Sequence, residues 1–213
     1  MRSRTIRMGS RGASRCALYD LPVSSLTAFI LAGGKSSRMG SDKAFLDFEG
    51  CTLLSRALDL ARSVTPDVKF VGDPEKFSSF APVVADIYLA RGPLGGIHAA
   101  LTNSTTDSNL ILAVDLPFLD ARFLQFLIAE SESTEAVVTL PQAAGHLHPL
   151  CAIYRKQFLP HADRALAEGR NKLDALFHEI EVRIIPEEEL KAAGFDASIF
   201  RNLNTPQDLA DNH

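Results

Sequence analysis

The sequence predicts a three-layer α/β/α fold, in which helices cover both faces of a mainly parallel central sheet. Two observations support this fold class. Short apolar runs alternate with amphipathic segments whose apolar residues recur every three or four positions, and this alternation is typical of βαβ units. Most of the runs are also apolar at consecutive positions, as expected for strands that are buried on both faces of a sheet.

The elements follow one another in a regular order along the chain. The apolar runs predict strands at "TAFILAG", "VKFVG", "PVVADI", "NLILAVD", "EAVVTLP" and "PLCAIYR". The segments between them predict helices at "TLLSRALDLARSV", "LGGIHAAL", "DARFLQFLIAESES" and "KQFLPHADRALAEGR", and "PEEELKAAG" predicts a surface helix. In parallel sheets of this kind the ligand site lies at the carboxyl ends of the strands, near a switch in strand order.

Composition narrows the class of protein. The chain has 213 residues, of which 46% are hydrophobic and 23% charged, with a net charge of -4. This balance does not suit a protein that coats nucleic acid, and no apolar stretch approaches the roughly 18 residues of a membrane span. Cys16, Cys51 and Cys151 lie far apart and lack C-x-x-C spacing, which is typical of isolated thiols in a reducing cytosol. We therefore expect a cytoplasmic protein with neither a nucleic acid nor a membrane partner.

The start of the chain differs from the rest. Residues 1–15, "MRSRTIRMGSRGASR", contain five arginines, no acid and no periodic apolar pattern. They lack the continuous apolar core of a secretory signal, although an Arg- and Ser-rich composition also occurs in targeting peptides. We interpret residues 1–24 as an N-terminal arm, either a disordered tail or the product of an upstream start codon, and residues 25–213 as one domain.

The first strand runs into an unusual loop, "LAGGKSSRMGSDK", from Leu31 to Lys43. It is not a P-loop, because the required first glycine would fall on Phe29. Without Cβ atoms, Gly33 and Gly34 allow a ligand to approach the backbone amides closely. Arg38 and Lys43 are suited to pairing with phosphate oxygens, so the loop predicts a phosphate-binding site.

A second strand end carries a carboxylate. The apolar strand "NLILAVD" ends on Asp115, and Pro117 stops it. A carboxylate in this position is costly unless water, a cation or a metal compensates its charge. Next to a cationic phosphate loop its natural partner is Mg²⁺, which favours one or two carboxylates together with phosphate oxygens. The alternative is that Asp115 only caps the following turn.

Five motifs together resemble the molybdenum cofactor guanylyltransferases, the MobA family. The chain is similar to this family in "LAGGKSSRMGSDK", "GPLGGIHAAL", "AVDLPFL", "HPLCAIY" and "NLNTPQDL", in order, over about residues 27 to 210. The resemblance implies a Rossmann-like nucleotidyltransferase fold. It also implies transfer of GMP from GTP to molybdenum-molybdopterin with Mg²⁺ as cofactor, and possible transient contact with molybdoenzymes or cofactor-delivery proteins.

The resemblance also implies roles for individual residues. Leu31, Ala32 and Gly33, with Gly34, would contact the guanine nucleotide, and Lys43 its phosphates. Asp86 would contact the nucleotide, Asp115 would hold Mg²⁺ and touch the nucleotide, and Asn202 and Asn204 would serve the pterin substrate. Arg38, Lys43 and Asp115 are the expected catalytic residues, because the reaction must overcome the repulsion between two anionic phosphates. One departure is Gly72-Asp73, where some family members have asparagine.

Several interpretations stay open at this point. The nearest alternative is a related nucleotidyltransferase that uses CTP or a sugar phosphate, and a more distant one is a non-catalytic nucleotide-binding module. His146 and His148 are a candidate metal pair, but without a third ligand we favour polar contacts to substrate or a loop role. Gly92, Gly95 and Gly96 open a helix either to approach phosphate or to make a tight turn. Further along the chain, Arg170 and Lys172 either meet substrate phosphates or are solvated.

Overall fold

The computed structural model describes residues 26–32, 43–85, 87–88 and 91–203 of the chain. The strands are β1 (Leu26–Leu31), β2 (Asp47–Phe48), β3 (Cys51–Thr52), β4 (Val68–Val71), β5 (Val83–Val84), β6 (Ser108–Ala113), β7 (Val138–Ala143), β8 (His146–Leu147), β9 (Cys151–Arg155) and β10 (Val182–Ile185). The helices are α1 (Leu53–Arg62), α2 (Pro74–Phe77), α3 (Pro93–Thr102), α4 (Ala121–Glu132), α5 (Leu159–Ala167), α6 (Leu173–Phe177) and α7 (Glu187–Ala192). None of the helices in these ranges is long and apolar enough to cross a membrane.

One central sheet organises these elements. Its strand order is β10-β7-β9-β6-β1-β4-β5, with β8 paired to β7. The pairs β4/β5, β1/β4, β1/β6 and β7/β10 are parallel, whereas β9 runs antiparallel to both of its neighbours. The prediction of a mainly parallel sheet is confirmed, and β9 is its main exception.

Alternate residues of the central strands enter two separate cores. Ala28 and Ile30 of β1 pack with residues of α1 and α4 on one face of the sheet. Phe29, the residue between them, packs with residues of α3 and α5 on the other face. Because successive side chains of a strand point to opposite faces, a strand covered by helices on both sides must be apolar throughout. The predicted three-layer arrangement is confirmed.

The helices begin where side chains satisfy their first amides. Thr52 Oγ1 accepts a hydrogen bond from the backbone N–H of Ser55 at 3.1 Å at the start of α1. Asp120 Oδ1 accepts one from Phe123 at 2.8 Å at the start of α4. These caps satisfy amides that lack partners within the helix. They therefore fix the residues at which α1 and α4 begin.

Some short elements were not among the predicted ones. They are the β2–β3 hairpin, the one-turn helix α2, strand β8 and the edge strand β10. Among the described residues, strand β10 pairs only with β7, and its residues are mostly half-buried or exposed, with Ile184 39% exposed. A strand with one neighbour does not need the continuous apolar run by which the inner strands are recognised.

Candidate active site

The candidate site lies where the strand order switches direction. Strand β1 pairs with β4 on one side and β6 on the other, and all three run parallel. At their carboxyl ends Leu31 is in register with Ala113, and the N–H of Ala32 donates to the carbonyl oxygen of Val71 at 3.1 Å. Loops that leave neighbouring strands in opposite directions open a crevice at such a point. The predicted nucleotide residues Leu31 and Ala32 therefore border this crevice, and both are half-buried.

Asp115 lies at the same edge, two residues after β6, with a half-buried side chain. Burial raises the pKa of its carboxyl group, and the positive charge of Lys43 partly opposes that rise. Lys43 begins a 3₁₀ turn, Lys43–Phe45, at the end of the glycine loop. The structure thus brings together a carboxylate and a cation that are 72 positions apart in the sequence, as their numbers show. Their proximity supports the prediction that both face a common ligand.

A side chain of α1 holds the turn that follows Asp115. Arg56 Nε donates to the carbonyl oxygen of Pro117 at 2.8 Å, and its guanidinium lies 5.1 Å from the centre of the Phe48 ring. Phe48 in turn meets Phe118 edge to face, with ring centres 5.4 Å apart. These contacts fix the backbone of the turn, so the carboxylate of Asp115 is presented from a supported loop.

The C-terminal segment closes the other side of the site. The N–H of Leu203 donates to the backbone carbonyl oxygen of Asp115 at 3.2 Å, and Leu203 is buried. Asn202, the residue before it, is exposed. Because one hydrogen bond joins the two segments, Asn202 stands beside the Asp115 turn, as the predicted pterin-side role requires.

An aromatic stack anchors this segment to the sheet. The ring of Phe200 stacks on His148, with centres 4.4 Å apart and 21° between the planes. Phe200 also meets Phe123 of α4 edge to face at 5.2 Å. His148 is half-buried, and burial lowers the pKa of its imidazole. A neutral ring suits a position packed on an aromatic side chain.

The two histidines do not form a metal cluster in the part of the chain that the structure describes. His148 Nε2 lies 3.4 Å from the carbonyl oxygen of Ala143, and His146 is exposed. Within the described ranges, no group of three or more His, Cys, Asp or Glu side chains is placed to hold a metal ion. His148 has a packing role that the sequence did not reveal.

The glycines of α3 have structural reasons of their own. Gly92 precedes the helix with a φ of 66°, a left-handed conformation that favours glycine. A Cβ on Gly96 would lie 3.1 Å from a methyl group of Leu31, so the missing side chain lets α3 pack closely on the end of β1. Both observations support a turn and a tight packing contact, and a role of these glycines toward phosphate stays a prediction.

Two further positions are engaged in local contacts. Asp73, where some family members have asparagine, accepts a hydrogen bond from the N–H of Glu75 at 3.0 Å and caps α2. Arg170 pairs with Glu168 and Glu179, each at 2.7 Å. The carboxylate partners of Arg170 favour a surface ion-pair network over a contact with substrate phosphate. Lys172, two residues further on, is exposed.

The described residues therefore include half of the predicted site. Leu31, Ala32, Lys43, Asp115 and Asn202 are placed at the carboxyl edge of the sheet. Gly33, Gly34, Arg38, Asp86 and Asn204 lie outside the described residues, as does the arm of residues 1–24. The sequence prediction missed Arg56, Phe118, Phe200 and Arg201. Of these only Arg201 carries a sequence signal, its position directly before Asn202.

The fold and the site define a class: a three-layer α/β protein with a ligand crevice at the switch point of its sheet, where the half-buried carboxyl group of Asp115 feels the positive charge of Lys43. A family model for the MobA-like NTP transferase domain matches residues 28–184. The molybdenum cofactor guanylyltransferase of Desulfosudis oleivorans is 35% identical over 187 residues, which cover 86% of this chain and 92% of the relative. A probable molybdenum cofactor guanylyltransferase of Pelotomaculum thermopropionicum is 32% identical and covers 86% and 89%.

Structural similarity points the same way. The crystal structure of molybdopterin-guanine dinucleotide biosynthesis protein A from Archaeoglobus fulgidus is similar with a TM-score of 0.75 and 28% identity. The match covers 87% of this chain and 95% of that one. The chain belongs to the MobA-like NTP transferase family. The predicted family and its nucleotidyltransferase fold are confirmed.

Proposed function

We propose that the protein transfers GMP from GTP to the phosphate of molybdenum-molybdopterin, which releases pyrophosphate and forms the guanine dinucleotide cofactor. Relatives that carry the name molybdenum cofactor guanylyltransferase match it over most of their length. The single observation that carries the proposal is the half-buried carboxylate of Asp115 at the switch point of the sheet, where the positive charge of Lys43 acts on it. A charged pair in this place suits a polyphosphate substrate.

The chemistry requires little beyond positioning and charge. A phosphate oxygen of the acceptor attacks the α-phosphorus of GTP, and the bond from that phosphorus to the bridging oxygen breaks. The bridging oxygen keeps the electron pair and leaves as part of pyrophosphate. Both reactants are anions, so the main barrier is their repulsion, and preorganised cations lower it. Lys43 supplies one such charge at the crevice, and Arg38 of the same loop is proposed to supply another.

Asp115 would hold the magnesium ion. Its carboxylate accepts no hydrogen bond from another residue within the described ranges, and its burial makes the unpaired charge costly. Mg²⁺ is commonly bound by one or two carboxylates together with substrate phosphate oxygens, so a lone carboxylate facing a nucleotide fits it. When bound there, the ion would neutralise charge on the phosphates of GTP. Asp115 would thereby orient the triphosphate against Lys43.

The two substrates would occupy opposite sides of Asp115. Leu31, Ala32, Gly33 and Gly34 would contact the nucleotide through backbone groups, with Asp86 beside it. Asn202 and Asn204 would contact the molybdopterin, since Asn202 stands on the segment joined to Asp115 through Leu203. We place the reaction in the cytoplasm, where the dinucleotide product would pass to molybdoenzymes or cofactor-delivery proteins.

The experiment that tests this function compares nucleotides and acceptors directly. The full chain is incubated with Mg²⁺, molybdenum-molybdopterin and GTP, CTP or ATP, and pyrophosphate release is measured together with the dinucleotide product. Of the three nucleotides, we expect only GTP to give turnover with molybdenum-molybdopterin. We also expect GTP to raise the melting temperature of the protein more than CTP or ATP does. At about a hundredfold above its Kd a ligand stabilises the native state by about 2.7 kcal/mol. Turnover with CTP or a sugar phosphate would favour the related nucleotidyltransferases, and binding of GTP without any turnover would favour a binding module.

A further inference from the structure

Arg201 is a cation whose environment in the described ranges leaves its charge uncompensated. The residue is exposed, and its guanidinium lies over the ring of Phe118, 4.6 Å from the ring centre. The backbone N–H of Arg201 donates to the carbonyl oxygen of Ser198 at 3.1 Å, but its guanidinium makes no hydrogen bond or ion pair with another described residue. Other arginines differ, since Arg122 pairs with Asp120 at 2.9 Å and Arg183 pairs with Glu130 at 2.7 Å. Within the described ranges, the ring of Phe118 therefore contacts the guanidinium of Arg201 and no carboxylate neutralises it.

Its location is the acceptor side of the site. Arg201 directly precedes Asn202, and Phe118 lies three residues after Asp115. The hydrogen bond from Leu203 to the Asp115 carbonyl oxygen joins the same two segments at 3.2 Å. The contact between Arg201 and Phe118 is thus a second contact between the segment that contains Asn202 and the turn after Asp115. An arginine stacked by its face on an aromatic ring keeps its N–H edge available to an anion.

The chemistry of the reaction calls for a cation at this position. Lys43, the described cation at the end of the glycine loop, is assigned to the phosphates of GTP. The acceptor is also anionic, and its attacking phosphate has to be held close to the α-phosphate of GTP. A guanidinium recognises phosphate through two parallel hydrogen bonds, which fix orientation as well as position. Arg201 is the described cation that lies on the segment assigned to the acceptor.

We propose that Arg201 binds the phosphate of the acceptor substrate, and that Phe118 holds the guanidinium ready for it. The inference rests on the proposed function, because that function supplies an acceptor with a phosphate. It predicts that Arg201 governs affinity for the acceptor and leaves affinity for GTP unchanged. Phe118 acts through Arg201 and is a positioning residue.

The test separates the two substrates kinetically. Arg201→Ala is expected to raise KM for molybdopterin about tenfold, equivalent to about 1.4 kcal/mol, with KM for GTP within about twofold of the native value. Arg201→Lys keeps the positive charge but loses the two parallel N–H donors, so its KM for molybdopterin should lie between those of the native protein and Arg201→Ala. Arg122→Ala is the matched control, since it removes another exposed arginine, one that pairs with Asp120, and it should leave both KM values unchanged. An Arg201→Ala variant that behaves like Arg122→Ala would overturn the proposal, as would an equal rise in both KM values.

Phe118 provides an independent check. Phe118→Leu should raise KM for molybdopterin in the native background but have little further effect in Arg201→Ala, because its contribution is made through Arg201. Additive effects of the two changes would show that Phe118 does not act through Arg201.

Direct binding distinguishes failure of this inference from failure of the proposed function. Molybdopterin and GTP are titrated calorimetrically into the native protein and into Arg201→Ala, without turnover. If the native protein binds molybdopterin about tenfold more tightly than the variant yet forms no dinucleotide, the inference stands and the proposed function fails. Equal affinity of both proteins for molybdopterin, or no binding to either, overturns the inference whatever the turnover shows.

Discussion

Replacing Asp115 with asparagine separates a metal-binding carboxylate from a structural one. The side chain is half-buried at the end of β6, and burial raises the pKa of its carboxyl group against the opposing charge of Lys43. Asparagine keeps the shape of the side chain and removes the negative charge. If the carboxylate holds Mg²⁺ on the triphosphate, the variant loses a charge interaction that matters most in the transition state. If it only caps the turn, the amide oxygen of asparagine can accept the same hydrogen bond, so little is lost.

The metal-binding role and the capping role predict different turnover for Asp115→Asn. Loss of one preorganised charge at a transferring group typically lowers kcat by about a hundred- to a thousandfold, or about 2.7–4 kcal/mol. We therefore expect turnover at saturating GTP and Mg²⁺ to fall by at least about a hundredfold in Asp115→Asn. A capping role would instead leave turnover nearly normal and the free energy of unfolding little changed, because asparagine caps about as well as aspartate. The assay is steady-state pyrophosphate release together with urea unfolding of the ligand-free protein.

The pH dependence of stability gives a further measure of the same residue. A carboxyl group whose pKa is raised by folding favours the folded state while protonated, and this contribution is lost as the pH rises through the folded pKa. The native protein therefore bears a cost near neutral pH that Asp115→Asn does not bear. The stability of the variant relative to the native protein should be greater at about pH 7 than at about pH 4. Near-normal turnover of Asp115→Asn would withdraw the metal role from Asp115, whatever its stability at the two pH values.

Three other outcomes follow from the structure. Lys43→Ala should weaken GTP binding and turnover by about tenfold or more, at least about 1.4 kcal/mol, with Lys43→Arg less affected, and unchanged steady-state kinetics would refute the phosphate contact. A chain that starts near residue 24 should match the full chain in melting temperature and rate, whereas a drop of several degrees would show that residues 1–24 dock on the domain. Burial lowers the pKa of His148, so its contribution to stability is present above the unfolded value of about 6.5 and is lost as the pH falls through the folded pKa. His148→Phe should therefore lose less stability than the native protein on acidification, with the exposed His178→Gln as control, and identical pH profiles for native protein and His148→Phe would contradict the burial effect.

The inner part of the fold was predictable because burial on both faces leaves a direct trace in the sequence. Strands β1 and β6 are recognised as continuous apolar runs, since Phe29 and Ile30 enter different cores. Strand β10 and the β2–β3 hairpin have no such trace, because they are short and lie partly exposed. The antiparallel direction of β9 was not predictable from its residues, since the connection through the β7–β8 hairpin sets it.

The residues of the candidate site also fall into some that the sequence predicts and others that it does not. Lys43 and Asp115 were predictable because each ends a recognisable strand or loop, and the carboxyl ends of parallel strands meet at one edge. The contact of Arg56 with Pro117 joins residues 61 positions apart, and nothing in the helical pattern of α1 distinguishes this arginine from a solvated one. Such supporting contacts arise from the packing of side chains in three dimensions, which periodicity and spacing do not encode.

This division has a consequence for how the two substrate sides are built. The residues proposed to contact the nucleotide follow one another in a continuous motif that begins on β1. The segment proposed to contact the acceptor is instead placed by tertiary contacts: His148 on Phe200, Arg201 on Phe118, and Leu203 on the carbonyl oxygen of Asp115. Because these contacts come from separate elements, we expect substitutions at His148, Phe200 or Phe118 to alter recognition of the proposed acceptor more than recognition of GTP. The measurement is KM for each substrate in the same variant, and equal changes in both KM values would contradict this separation.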